Sequence, residues 1–449
     1  MSFHHLGLAE PLVRAIEAKG YTEPTPIQRD SIPQLIAGRD LLGIAQTGTG
    51  KTAAFVLPSI QRLAEAGKRV LPYHCRMLVL APTRELANQI ADSARDYGKF
   101  SRIAVATVFG GTSINKNRQD MSRGVDILVA TPGRLIDLIE QRYVDLSMLE
   151  ILVLDEADQM LDLGFIHALR KIVRLLPRKR QSLFFSATMP ASIRELADQF
   201  LTDPATVSVK PAATTAERVE QHVTFVNQTE KQSLLTIILK REAIDRALIF
   251  TRTKHGADRV VKLLAGNGVA SNAIHGNKSQ PQRERALAAF KDGSVPILVA
   301  TDIAARGIDV SGVSHVVNFE LPNVPEQYVH RIGRTARAGR SGIAISFCAE
   351  DERPYLRDIE KLTRQKVNVA ALPDDFTNLS NQIKSTRQKA IGADPAPRVE
   401  RPRGPARPKA THAARPSNPY APRGRVGNSR RPGGGGGGGR GRSQNSAGR

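Results

Sequence analysis

The chain has 449 residues, enough for two or three domains of about 100–200 residues each, and its 41% hydrophobic content supplies sizeable cores. A formal net charge of +22 points to a polyanionic partner, either nucleic acid or an anionic membrane surface. A membrane span, a secretory leader and a disulfide or zinc framework are not expected: no apolar run nears the roughly eighteen residues that cross a bilayer, Met1–Gly7 lacks a signal pattern, and Cys75 and Cys348 lie far apart, which fits a reducing cytoplasm.

In chain order, short apolar runs alternate with helical patterns, the signature of parallel α/β architecture. The first series is Leu41–Ala45, Met77–Leu80, Ile103–Val108, Ile127–Ala130, Ile151–Leu154 and Leu183–Phe185. A stretch of small residues with a proline, Val209 to Ala216, marks a boundary. A second series follows: Val223–Val226, Ala247–Phe250, Ile297–Ala300, His315–Phe319 and Ile343–Phe347. Most of these strands end in a polar cluster, and open parallel sheets bind ligands beyond the carboxyl ends of their strands. Residues 384–449 hold 16 Lys+Arg against 2 Asp+Glu, a net of +14, with Tyr420 as sole aromatic and a glycine run from Gly433 to Gly439. Such a composition cannot bury enough apolar surface to offset ordering entropy, so a disordered basic tail is expected.

The sharpest motif is Ala45-Gln46-Thr47-Gly48-Thr49-Gly50-Lys51-Thr52, between a strand-like run and a helical one. Glycines let backbone N–H groups face phosphate oxygens, and the following helix N-terminus adds positive potential. Lys51 would reach the outer phosphates and Thr52 would ligate Mg²⁺. Ala45 stands where the general pattern has glycine. About a hundred residues on, the apolar run Ile151–Leu154 ends in Asp155-Glu156-Ala157-Asp158. Asp155 would hold Mg²⁺ through water, and Glu156 would orient and deprotonate an attacking water.

Read together, these residues resemble the DEAD-box RNA helicases, over roughly residues 3–350. The resemblance implies two tandem RecA-like parallel-sheet domains and an RNA-stimulated ATP hydrolase using ATP and Mg²⁺. It implies a Q-motif region over residues 1–30, an ATP-binding domain over 31–209, a linker over 210–218, a C-terminal helicase domain over 219–380 and the tail over 381–449. The segment Gly20–Gln28 is similar to the Q motif, with Phe3 as its upstream aromatic. Gln28 would read the adenine edge and Tyr21 would pack the base. Ser186-Ala187-Thr188 looks like the element that couples hydrolysis to strand separation, acting near Asp158. The run His330–Arg340 carries four arginines and resembles the arginine-finger motif. Arg334 and Arg337, three apart on one helical face, would reach the γ-phosphate, with His330 in the coupling set. Ala336 replaces a glycine frequent in the family without touching the charged positions. Gly307 and Asp309 would bind the nucleotide, Asp309 at the ribose, and Arg306 would pair with acids across the cleft.

RNA contacts implied by the same resemblance are Thr83, Arg84, Gly111, Thr131, Gly133, Arg134, Thr251, Arg252, Gly276, Gln282, Arg285 and Thr301. These small, hydroxyl and basic residues suit sugar–phosphate contact rather than base reading, so sequence-independent binding is expected. The compact start at Phe3–Gly7 and the basic tail are closest to the bacterial RhlE-like subgroup. That implies work in ribosome maturation or RNA turnover, with ribosomal precursors or RNA-decay proteins as partners. Alternatives are a slow ATP-gated RNA clamp, an RNA chaperone working through the tail, and a DNA translocase.

Overall fold

A computed structural model describes residues 2–46, 48–209, 219–242, 244–305, 310, 312–336 and 342–383. Two seven-stranded parallel sheets carry the fold. The first is built from β1 (Leu41–Ile44), β2 (Cys75–Leu80), β3 (Val105–Val108), β4 (Val125–Ala130), β5 (Ile151–Leu154), β6 (Gln181–Ser186) and β7 (Ala205–Ser208). Its order is β3-β4-β2-β5-β6-β1-β7. The second holds β8 (Val219–Phe225), β9 (Ala247–Phe250), β10 (Asn272–Ile274), β11 (Ile297–Ala300), β12 (His315–Asn318), β13 (Gly342–Cys348) and β14 (Asn368–Val369). Its order is β10-β11-β9-β12-β13-β8-β14. Shifted by seven, the second order reproduces the first strand for strand.

Parallel strands need crossovers, and helices provide them on both faces. Alternate residues of β2 serve opposite cores: Met77 and Val79 enter one cluster, Leu78 and Leu80 the other. Each buried aliphatic side chain of this kind contributes about 1.5–3 kcal/mol. Central strands β2, β5, β9 and β11 are buried along their whole length, which is why they read as continuous apolar runs. Three strands were not expected from the sequence: β7, β10 and β14. Each is a sheet edge, short and partly exposed. The expected linker, 210–218, and the tail beyond residue 383 lie outside the described residues.

A candidate nucleotide and RNA site

The loop after β1 turns into the helix Lys51–Ala66 through Gly50, at φ +91°. Gly50 is required twice over. Its backbone is left-handed, and a Cβ there would fall 2.3 Å from Gln28 Nε2. Gln28 itself is buried and makes one bond through each end of its carboxamide. Its Oε1 accepts from Thr25 N at 3.0 Å, in the capping box of the helix Pro26–Ile36, and its Nε2 donates to Gly50 O at 3.1 Å. One carboxamide therefore ties the segment before that helix to the phosphate-loop backbone.

Lys51 is 5% exposed, donates to Ala45 O at 3.0 Å and lies 4.0 Å from Asp155 Oδ1. Burial pushes the Asp155 carboxyl up to about 6; Lys51 pulls it down, and neighbouring Glu156 adds to the rise. Glu156 begins the helix Ala157–Asp162 from a left-handed conformation, φ +54° and ψ +52°. For a non-glycine residue that costs roughly 1–2 kcal/mol, a strain that typically collects at functional sites. Thr49 closes the loop with a hydroxyl bond to Gln46 O at 2.7 Å.

Phe3, Tyr21, Gln28, Gly48, Gly50, Lys51, Thr52, Asp155 and Glu156 line one cavity of about 370 Å³. Its remaining wall includes Leu86, Gln89, Ser93 and Tyr97, a stripe spaced three and four apart on the helix Arg84–Tyr97. The sequence reading missed that wall, although its helical spacing was visible. Ala45, Gln46 and Thr49 belong to the loop and are not among the residues that line the cavity. Thr47, Arg306, Gly307, Asp309 and Arg337 lie outside the described residues.

Asp158 accepts through one oxygen from Ala187 N at 3.2 Å, Thr188 N at 3.0 Å and Thr188 Oγ1 at 2.9 Å. Ser186 instead donates to Thr188 O at 2.7 Å. The Ser186–Thr188 turn is thus bolted to the first turn of the helix that follows Asp155 and Glu156.

One expectation needs correction. Arg334 does not continue a helix. The helix Pro325–Ile332 stops at Gly333, Thr335 turns its hydroxyl to Val313 O, and Ala336 takes φ +53°. Arg334 lines a recess with Asp302, His330 and Arg331, and is not among the residues lining the nucleotide cavity. Nor is Ala336 neutral, because a left-handed alanine is strained where glycine would not be. Arg331, which the sequence reading left without a role, grips Asp302 at 2.5 and 2.8 Å and also donates to Asn318 and Glu320 O.

The expected RNA residues sit at helix starts and loops beyond the strands. Thr83 caps the helix Arg84–Tyr97, accepting from Leu86 N at 3.2 Å. Gly111, at φ +89°, lets Arg84 lie against the backbone, since a Cβ there would meet its Nη1 at 2.2 Å. Thr131 precedes the helix Pro132–Glu140. Arg134 donates to Thr112 O at 2.9 Å. Burial, then Arg283, lowers the Arg84 pKa, and Arg134 adds to the effect, so three guanidinium groups crowd one region. Arg283 was not in the expected RNA set, yet it crosses between the halves, donating to buried Glu85 at 2.8 Å. Gln282 sits in the capping box with Ser279, and Arg285 is exposed and donates to Pro281 O. Thr251 is buried, Thr301 follows β11, and Arg252 follows β9. Gly133 and Gly276 face open space.

Comparison with known proteins agrees with this geometry. Residues 25–196 match the DEAD/DEAH box helicase model, and residues 230–339 match the helicase conserved C-terminal domain. A DEAD-box ATP-dependent RNA helicase, CshA of Bacillus cereus, is 40% identical over 388 residues, covering 86% of this chain and 73% of the relative. The RNA helicase CrhR of Synechocystis is 45% identical over 389 residues, covering 86% and 78%. Among solved structures, S. cerevisiae Dbp5 bound to RNA and ADP BeF3 superposes with a TM-score of 0.74 at 32% identity, covering 86% of this chain and 99% of that one. Parallel-sheet pair, phosphate loop, Asp-Glu-Ala-Asp strand end and matched relatives together make this chain a member of the DEAD-box ATP-dependent RNA helicases.

Proposed function

We propose that the cavity between Gln28, Lys51 and Glu156 binds ATP with Mg²⁺, and that its hydrolysis drives remodelling of RNA lying on the arginine-lined loops. The observation that carries this reading is the convergence of a buried lysine, two adjacent carboxylates and a glycine-curled loop on one 370 Å³ cavity. Lys51 offers a positive charge to the outer phosphates. Gln28 holds the phosphate loop and presents its remaining donor and acceptor capacity to adenine between Phe3 and Tyr21. Glu156, fixed by its strained backbone, takes the proton of the attacking water. The donor set fits Mg²⁺ of the kind that relies on substrate phosphates and water: Asp155 and Thr52 are at hand, and no cluster of three or more His, Cys, Asp or Glu suited to a metal occurs among the described residues. Bound there, the ion would neutralise phosphate charge and keep Asp155 ionised.

Arg334, with Arg337, would complete the site when residues 31–209 and 219–380 act as two closing domains. The Asp158–Thr188 bonds supply the route by which nucleotide state reaches the interdomain surface. Phosphate-directed groups, and the glycines at 133 and 276 that leave room for a sugar–phosphate backbone, support sequence-independent RNA binding. Both cysteines are free and buried, and no helix among the described residues is long and apolar enough to cross a membrane; a cytoplasmic setting fits both facts. Ribosomal precursors or decaying RNA as targets rest on the RhlE-like resemblance alone. The net +14 segment, residues 384–449, would add salt-sensitive RNA capture. Its deletion should flatten the salt dependence of RNA affinity by about 0.7 log units per lost phosphate contact, and superimposable salt slopes would remove that role.

Glu156→Gln tests the chemistry. It keeps size and hydrogen bonding but loses the base, so ATP binding should persist while turnover falls about 10²–10⁴-fold. Turnover near wild type would refute the assignment.

A further inference from the structure

At the C-terminal edge of the second sheet, the Glu352 carboxylate is completely buried and its hydrogen-bonding capacity is filled. Oε1 accepts from Arg252 Nη2 at 3.1 Å and Leu321 N at 3.3 Å. Oε2 accepts from Ala349 N at 3.0 Å and from the ammonium of Lys231, which is itself fully buried and also donates to Phe347 O. These donors come from the segments after β8, β9, β12 and β13. One carboxylate therefore gathers four strand ends around the loop that carries Arg252.

Arg252 is held at several points. Its backbone N–H donates to Glu320 at 2.8 Å, its Nη1 to Asn323 at 3.4 Å, and its guanidinium lies 5.9 Å from the centre of the Tyr355 ring. Its side chain is nevertheless 28% exposed. An isolated carboxylate beside it would orient the guanidinium but also cancel its charge. Lys231 removes that conflict by neutralising Glu352, so Arg252 is aimed and keeps its charge for a phosphate. A buried ion pair is a poor source of stability compared with apolar packing, which makes a positional role the better account of this one.

We propose that Glu352, with Lys231 as its counterion, is a positioning residue that fixes Arg252 for contact with the RNA backbone. This rests on the reading of Arg252 as an RNA contact. The test uses the full chain, binding of a fluorescent oligouridylate with a non-hydrolysable ATP analogue and, in parallel, steady-state ATP hydrolysis, with three variants: Arg252→Ala, the charge-neutral pair Lys231→Met/Glu352→Gln, and all three substitutions together. The neutral pair leaves no unmatched buried charge, which protects folding. Arg252→Ala and the pair should each weaken RNA binding about five- to tenfold with the KM for ATP unchanged, and the triple variant should be no weaker than either.

If the pair binds RNA like wild type while Arg252→Ala does not, or if the effects multiply in the triple variant, positioning through Arg252 is overturned. If Arg252→Ala itself binds RNA like wild type, the underlying RNA reading fails and the proposal with it. A mere loss of folded protein would lower kcat while leaving both affinities in place, and would equally overturn it.

Discussion

The two sheets share a strand order but treat the same positions in opposite ways. Lys51 opens the helix after β1, and Lys231 opens the helix after β8. Glu156 lies two residues past β5, and Glu320 two past β12, the strand in the matching place. In the first sheet these charges face a cavity, and Lys51 is only loosely matched, 4.0 Å from a carboxylate that burial pushes up to about 6. In the second, each charge has a built-in partner: Lys231 meets Glu352, and Glu320 takes the Arg252 backbone. The lesson is that topology supplies a ligand-binding edge twice, and side-chain pairing decides which edge stays available to an anion. The first sheet leaves its lysine and carboxylates facing a cavity. The second uses the same edge to hold loops rigid.

That contrast can be broken or sharpened by substitution. The largest effect belongs to Lys231. Replacing it alone with Met leaves the buried Glu352 carboxylate with only the part-exposed Arg252 as counterion, and should cost about 3 kcal/mol of unfolding free energy. Lys51→Met should cost well under that, because Asp155 can relieve its own burial by taking up a proton. Denaturant titration of both variants checks this, and equal losses would erase the distinction between a structural and a functional lysine. Next comes Gly50→Ala. Left-handed alanine costs roughly 1–2 kcal/mol, and the new Cβ displaces Gln28. Affinity for ATP should fall about tenfold, the equivalent of 1.4 kcal/mol, whereas an unchanged affinity would show that the Gln28–Gly50 contact does not shape the pocket. The smallest effect is a gain: Ala336→Gly relieves the φ of +53° and should stabilise the chain by about 1 kcal/mol, read as a rise in melting temperature.

How much of this was legible in the sequence follows the geometry of the fold. Interior strands are buried on both faces and announce themselves as apolar runs, so β2, β5, β9 and β11 stood out. Edge strands β7, β10 and β14 have half-exposed or polar residues and no such signature. The phosphate loop and the Asp-Glu-Ala-Asp end were readable because each is contiguous and its chemistry is local. Pairings between distant segments were not. Glu85 and Arg283 lie 198 residues apart, and Lys231 and Glu352 lie 121 apart, and nothing in either stretch says which partner the fold will deliver. Arg283 was therefore overlooked beside Gln282 and Arg285. The end of the helix at Gly333 was hidden for a related reason. The run of arginines suggested continuous helix, whereas the chain leaves the helix at Gly333 and Thr335 bonds to Val313 O, 22 residues away in sequence.

The contrast between the sheets is tested most directly by titrating a fluorescent ATP analogue against the full chain in two variants, Lys51→Met and the neutral pair Lys231→Met/Glu352→Gln. Losing a charged hydrogen-bond donor at the phosphates should weaken binding about tenfold or more in Lys51→Met, while the neutral pair should bind the nucleotide as wild type does. Wild-type affinity in Lys51→Met, or a comparable loss in the Lys231 and Glu352 pair, would contradict the placing of the nucleotide phosphates at the Lys51 edge rather than at its Lys231 counterpart.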